Sequence, residues 1–578
     1  MRVLLMMICI VVCLTSCKDS STTTDNGTLH IAIQQDPNKL NPVIYTVQKA
    51  REVYQYIFMP MADFHPETYE LVPLLLKSIP QRRKIEEGRY AGKISFDVEL
   101  REDATWADGT PITVDDYLFT LKAINHPETA AANYRSYMSS IVDARAHLTD
   151  SNKVVVILED DYMLANEIVS TFELYPRHIY DPKGILDKVP LIKLLNPERA
   201  AETISQDSML SVFATEFNSV KYSRDIVSGA GPYELTDWQA DQTVVLTRKK
   251  DYWGADIDLP YMKTGPEKIV FHIIPDELSV MNQLKSGGID LYPKASSAAY
   301  SELKANETYA DDFSFYTVEL LKTYFIAMNN KSPELQDPDV RRAMAHLMDV
   351  EEVIELLEGG LGTRATGFVN VQKKYHQKAL QPLDENIEKA KSILTNEGWS
   401  DTNGNGTIDK IVDGSVLEFE LDMHTTGSDL SNKIALILSE NAKKAGIKIN
   451  NIQKKYSDFK RENLATGKYD LITQSIAQSL AADDPYAKWH SNNASPGRTN
   501  SVAYVNTTAD EIIDNIRSTQ NPADRKKLYL QLQEVMYEDQ PVIWLYHPVE
   551  KIILSKQWRG SVTAKRPGYL ANTFTPAE

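Results

Sequence analysis

Apolar and polar positions change period repeatedly along this chain. Leu29-His-Ile-Ala-Ile33 and Ile94-Ser-Phe-Asp-Val-Glu-Leu100 alternate as half-buried strands do, with one face apolar and the other polar. Thr243-Val-Val-Leu-Thr247 and Lys268-Ile-Val-Phe-His-Ile-Ile274 are predicted as strands too. Elsewhere the period lengthens. Thr113-Val-Asp-Asp116 reads as a capping box, and the helix it opens carries Tyr117, Leu118, Leu121 and Ile124 on one face. A short helix is expected between Asp276 and Ser286, stopped by Gly287-Gly288. Asp339 to Glu358 aligns Val340, Met344, Leu347, Val353, Ile354 and Leu357, and is predicted as one amphipathic helix closed by Gly359-Gly360. Another helix, from about Ser428 to Ala445, turns Leu430, Ile434, Ile437 and Leu438 inward and leads through Gly446 into a strand at Ile447-Lys-Ile449. Strand and helix patterns interleave from end to end, which predicts an α/β fold with more than one domain.

The N-terminus follows a different rule. One charge, Arg2, precedes an unbroken apolar run from Val3 to Leu14, too short to span a bilayer but suited to the core of an export signal. All three cysteines, Cys9, Cys13 and Cys17, lie in or just after it. Leu14-Thr15-Ser16-Cys17 resembles the lipobox of bacterial lipoproteins, which implies acylation of the Cys17 thiol, cleavage just before it and a lipid-anchored N-terminus. Residues 1–17 are thus expected to be a lipoprotein signal peptide. Residues 18–27 are expected to be a polar tether, and the protein an exported one, in the periplasm or at the cell surface. Beyond Cys17 the chain has no cysteine, so no disulfide framework is available to it. The net charge of -18 over 578 residues argues against nucleic acid and against a polybasic membrane surface.

Catalytic and metal signatures are sparse. HExxH, GxSxG and GxxxxGK[ST] are all missing from the sequence. Ser301-Glu-Leu-Lys304 and Lys263-Thr-Gly265 match SxxK and KTG of penicillin-recognising serine enzymes, but in reversed order. Asp401-Thr-Asn-Gly-Asn-Gly-Thr-Ile-Asp409 copies the start of a calcium loop, with Asp401, Asn403, Asn405 and Asp409 as oxygen donors. Val412 stands where the bidentate glutamate belongs, so a plain Asn-Gly turn competes with a calcium site, and no other cofactor is called for.

Five segments, in order, resemble the family 5 extracellular solute-binding proteins, the peptide and nickel receptors of ABC importers. They are Leu100 to Tyr117 (with Ala107 where the usual form has histidine), Gly229-Ala-Gly-Pro-Tyr233 through Asp251-Tyr-Trp253, Ser286-Gly-Gly-Ile-Asp290, Asp339 to Asp349, and Pro541-Val-Ile-Trp-Leu-Tyr-His-Pro548. The resemblance implies a two-lobed, periplasmic-binding-protein-like fold with an extra inserted domain. Lobe I would comprise 28–62, 221–320 and 545–578, the inserted domain 63–220, and lobe II 321–544. It also implies capture of an extended peptide-like solute between closing lobes, delivery to an ABC permease in the inner membrane, and a monomer with no catalytic residues. Peptide receptors of this family carry Trp-x-x-Asp-x-x-Asp-Pro, whose first aspartate pairs with the peptide's α-ammonium. Here the stretch is Gln478-Ser-Leu-Ala-Ala-Asp-Asp-Pro485, which puts Gln478 in the tryptophan position and Ala481 in the aspartate position. Asp483 could serve from a shifted backbone, the ligand could lack an N-terminal amine in that place, or Asp483 and Asp484 could cap a helix starting near Pro485. With Trp489, these residues are the ligand-binding candidates. Two rival readings are a surface glycan-binding lipoprotein, a predominantly helical class, and a penicillin-recognising serine hydrolase.

Overall fold

The computed structural model describes residues 27–44 and 48–577; the signal peptide, Cys17 and nearly all of the tether lie outside the described residues. Three larger sheets organise the chain. A seven-stranded sheet runs in the order Phe313–Glu319, Val549–Ser555, Leu291–Tyr292, Thr28–Ile33, Lys268–Ile273, Thr243–Arg248 and Tyr233–Gln239. Thr28–Ile33 pairs in parallel with both of its neighbours, and the remaining pairs are antiparallel. A five-stranded sheet runs Lys448–Gln453, Glu420–Thr425, Leu471–Ala477, Lys322–Met328 and Val542–Trp544. A four-stranded antiparallel sheet joins Arg82–Lys84, Ile94–Glu99, Lys153–Leu158 and Ile141–Ala146.

Period-two patterning builds the layers. Along Lys322–Met328, Phe325 and Ala327 enter one core while Ile326 and Met328 enter another, so helices cover both faces of the five-stranded sheet. In the seven-stranded sheet Ile31 and Ile33 face one core and Ala32 the other. The first of these cores is continuous with Phe96, Tyr117 and Tyr175, so the four-stranded unit and the seven-stranded sheet share one apolar interior.

The chain passes between the two larger sheets twice. Residues 320–321 join Phe313–Glu319 to Lys322–Met328, and residues 545–548 join Val542–Trp544 to Val549–Ser555. The crossings lie side by side, since Leu320 N donates to Pro548 O at 2.9 Å and Leu545 N to Tyr324 O at 3.0 Å. His547 ties them further, its Nδ1 being 3.0 Å from Thr323 Oγ1.

One predicted element divides. Asp339 to Glu358 forms two helices, Pro338–His346 and Val350–Glu358, because the Asp349 carboxylate accepts the Glu352 amide at 2.9 Å and so opens a second helix where one was expected to continue. The glycine stop is real: Gly359 has φ 60° in the left-handed region.

Candidate ligand-binding site

The strand Leu471–Ala477 pairs along its whole length with Lys322–Met328 on one side. On the other side Glu420–Thr425 reaches it only at Leu471 and Ile472. Beyond Ile472 no strand among the described residues pairs with that edge, which leaves residues 473–477 with backbone groups on an open flank. The strand then enters the loop 478–485, fastened to the first crossing by Gln478 N donating to Leu321 O at 2.7 Å.

Within this loop the two aspartates have separate tasks. Gln478 Nε2 and the Tyr375 hydroxyl donate to Asp483 Oδ2 at 2.7 and 2.8 Å. Lys373 Nζ lies 3.6 Å from Asp483 Oδ1 and donates to the carbonyl of Ala481 at 2.6 Å and to that of Ser479. The Lys373 and Asp483 side chains are 6% and 14% exposed. Burial pushes the Asp483 carboxyl up and the Lys373 ammonium down, each opposed by the charge of the other. Tyr375 stacks on Tyr529 at 4.1 Å between ring centres, and Tyr529 donates to the Asp483 carbonyl. Asp483 is thus occupied by the protein's own cation.

Asp484 accepts the Tyr486 amide at 3.0 Å, one residue ahead of Pro485, the N-cap of the short helix Tyr486–Trp489. It also accepts from the Tyr162 hydroxyl at 2.7 Å and Arg517 Nε at 3.0 Å, joining the turn after Lys153–Leu158 to the end of the helix Thr507–Ser518. Trp489 is 3% exposed and sits among the rings of Phe325, Phe368 and Trp544. Ala481 is buried and meets the site through its carbonyl. Lys373, Tyr375, Tyr529, Arg517 and Tyr162 carried no motif that sequence reasoning could use.

A cavity of about 390 Å³ opens beside this loop, in the size range of small-ligand sites. Leu480 and Ala482 come from the loop, Leu321 from the crossing, Tyr375 and Tyr529 from the stacked pair, and Tyr69 from the turn before Leu71–Pro73. Lys373, Lys374, Arg525 and Lys526 also line it.

Other sequence candidates lie elsewhere. The Asp401 carboxylate accepts the amides of Gly404, Asn405 and Gly406, while Asn403 and Asn405 direct their amide nitrogens to Glu418 Oε1. Asp409 is buried and accepts from both the amide and hydroxyl of Thr402. The four donors therefore lie in a turn held by its own amides and by Glu418. No group of three or more histidine, cysteine, aspartate or glutamate residues among the described residues could hold a metal ion. Ser301 lies within the helix Ser297–Ala305, whereas Lys263, Thr264 and Gly265 line a separate 440 Å³ cavity with Ser561 and Thr563.

The signature segments are packing devices. A Cβ on Gly231 would stand 2.4 Å from the Tyr56 carbonyl oxygen, and one on Gly229 2.5 Å from that of Ile57, so both glycines admit the neighbouring backbone. Asp290 accepts the His30 amide at 2.8 Å, and the buried Arg341 guanidinium donates to the carbonyls of Leu335, Gln336, Asp539 and Gln540. Asp108 is held down to about 2, burial being outweighed by hydrogen bonds from Thr110 and His178, which reaches it at 2.7 Å.

Comparison with known proteins agrees with this architecture. The oligopeptide-binding protein AppA of Bacillus subtilis is 23% identical over 549 residues, covering 94% of this chain and 90% of that protein. The structure of B. subtilis AppA in complex with a nonapeptide superposes with TM-score 0.65 at 21% identity, covering 96% of this chain and 99% of that one. NikA from Brucella suis in complex with Fe(III)-EDTA superposes with TM-score 0.71 at 18% identity, covering 95% and 100%. The fold is that of the two-lobed periplasmic binding proteins. A model described as bacterial extracellular solute-binding proteins, family 5 middle, matches residues 70–497, and the chain belongs to that family.

Proposed function

We propose that this protein captures an extended peptide-like solute between its two sheet bodies and delivers it to an ABC permease. The open edge at residues 473–477 carries this reading: unpaired backbone groups are what an added peptide strand requires, and the cavity at the following loop 478–485 offers walls for side chains. AppA, a relative over nearly the whole chain, is named for oligopeptide binding. The role needs no catalytic residue and no cofactor. In this reading residues 28–62, 221–320 and 545–578 form lobe I, 321–544 form lobe II and 63–220 an inserted domain. Cys17 would carry a lipid that anchors a monomer to the membrane beside its permease. No helix among the described residues is long and apolar enough to cross a membrane.

Native purification followed by acid extraction and mass spectrometry tests the ligand class. Short peptides in near-stoichiometric amount are expected. Release of an oligosaccharide instead, or failure of a degenerate peptide library to bind the ligand-free protein, would overturn the proposal.

A further inference from the structure

We propose that the cavity beside loop 478–485 selects a peptide segment bearing carboxylates rather than amines, an inference that rests on the peptide-binding reading above. Four cations, Lys373, Lys374, Arg525 and Lys526, line this cavity, and no carboxylate does. The acidic groups nearby are committed elsewhere. Asp483 holds Lys373, Glu70 holds Lys374 at 3.1 Å, Asp484 holds Arg517, and Asp524 holds Lys527 at 2.9 Å. Arg525 donates to the Thr519 carbonyl at 2.8 Å, and neither it nor Lys526 has a carboxylate within ion-pairing distance among the described residues.

Loop 478–485 reinforces this sign. Its ammonium acceptors, the carbonyls of Ser479 and Ala481 and the Asp483 carboxylate, converge on Lys373. A ligand ammonium entering here would find those acceptors taken and would meet the like charges of Arg525 and Lys526. A ligand carboxylate would meet Lys526 and Arg525, cations without a direct carboxylate partner although Glu167 also feels the Arg525 charge, and the planar guanidinium can engage both ligand oxygens. Tyr69, Tyr375 and Tyr529 supply flat walls for the chain that carries it.

Isothermal titration calorimetry with three alanine-rich pentapeptides, carrying two glutamates, two glutamines or two lysines, each with a free and an acetylated N-terminus, tests this directly. The glutamate peptide is expected to bind at least about tenfold more tightly than the lysine peptide, and acetylation to change affinity less than about threefold. The Arg525→Gln/Lys526→Gln variant is expected to abolish the preference. Lys526→Glu, at an exposed position, gives the same reading should the double variant fold poorly. Equal or tighter binding of the lysine peptide, or a tenfold loss on acetylation, would overturn the charge inference while leaving peptide capture intact. Absence of binding by all six peptides would overturn both.

Discussion

Lys373 and Asp483 form an ion pair with both side chains out of water, so the pair matters more for what happens when it is halved than for its net worth. Separating a buried carboxylate from its cation leaves a charge that neither solvent nor protein compensates. Asp483→Ala is therefore expected to cost about 3–5 kcal/mol, because Lys373 keeps only the carbonyls of Ser479 and Ala481. Lys373→Met/Asp483→Ala removes both charges and should cost less than Asp483→Ala alone. Urea unfolding of the two single variants and the double variant measures this. A double variant as destabilised as the sum of the singles would show that the two groups act independently. The same chemistry explains why the sequence was misleading at this point. An Asp-Asp-Pro triplet advertises two carboxylates, but only the fold reveals that a lysine 110 positions earlier neutralises one of them.

At the scale of elements, glycines in the signature segments act by two mechanisms that substitution separates. Gly231 has no room, because an added Cβ would press on the carbonyl oxygens of Tyr56 and Ile57 at 2.4 and 2.8 Å. Gly287 has room but sits at φ +75°, where a side chain is strained. Gly231→Ala is expected to cost about 3 kcal/mol, the upper end for overpacking against rigid backbone. Gly287→Ala should cost about 1 kcal/mol, as at other left-handed helix ends. Thermal melting of the two variants checks the ranking, and a milder effect at Gly231 would mean that the segment at residues 56–58 yields. Elements of this kind were legible in the sequence because their cause is local. Alternation placed Thr28–Ile33 and Ile94–Glu99, and Asp276 and Ser428 marked helix starts that their side chains do cap. The helix expected over Asp339 to Glu358 failed for an equally local reason, a capping aspartate inside an apolar stripe that continues in phase across the break. The cavity and its lining were not legible, since Tyr69, Lys373, Leu480 and Arg525 meet only through tertiary approach of segments that share no motif.

For the whole molecule, the decisive contact is between bodies. The turn at residues 161–164 leaves the four-stranded sheet and seats Met163 and Leu164 in the core beside the five-stranded sheet, with Trp489, Ile516 and Tyr529. Around that seat Met163 N donates to Arg517 O at 3.1 Å, Gln520 Nε2 to Asp161 O at 2.7 Å, and Arg517 bridges Tyr162 through Asp484. The two crossings at 320–321 and 545–548 are the covalent links between the two larger sheets, so rotation about them that opens the cleft is expected to withdraw Met163 and Leu164 into water. Burial of each such side chain contributes roughly 1.5–3 kcal/mol, so the seat is expected to favour the arrangement described here over a more open one. Met163→Ser/Leu164→Ser should leave each body folded but weaken that bias. The expected outcome is a larger radius of gyration for the ligand-free variant in small-angle X-ray scattering. Peptide affinity should fall by about tenfold or more, since each 1.4 kcal/mol of lost closure is tenfold in binding. A variant with unchanged scattering and unchanged affinity would show that closure is set by the crossings alone, and that the seated turn only follows them.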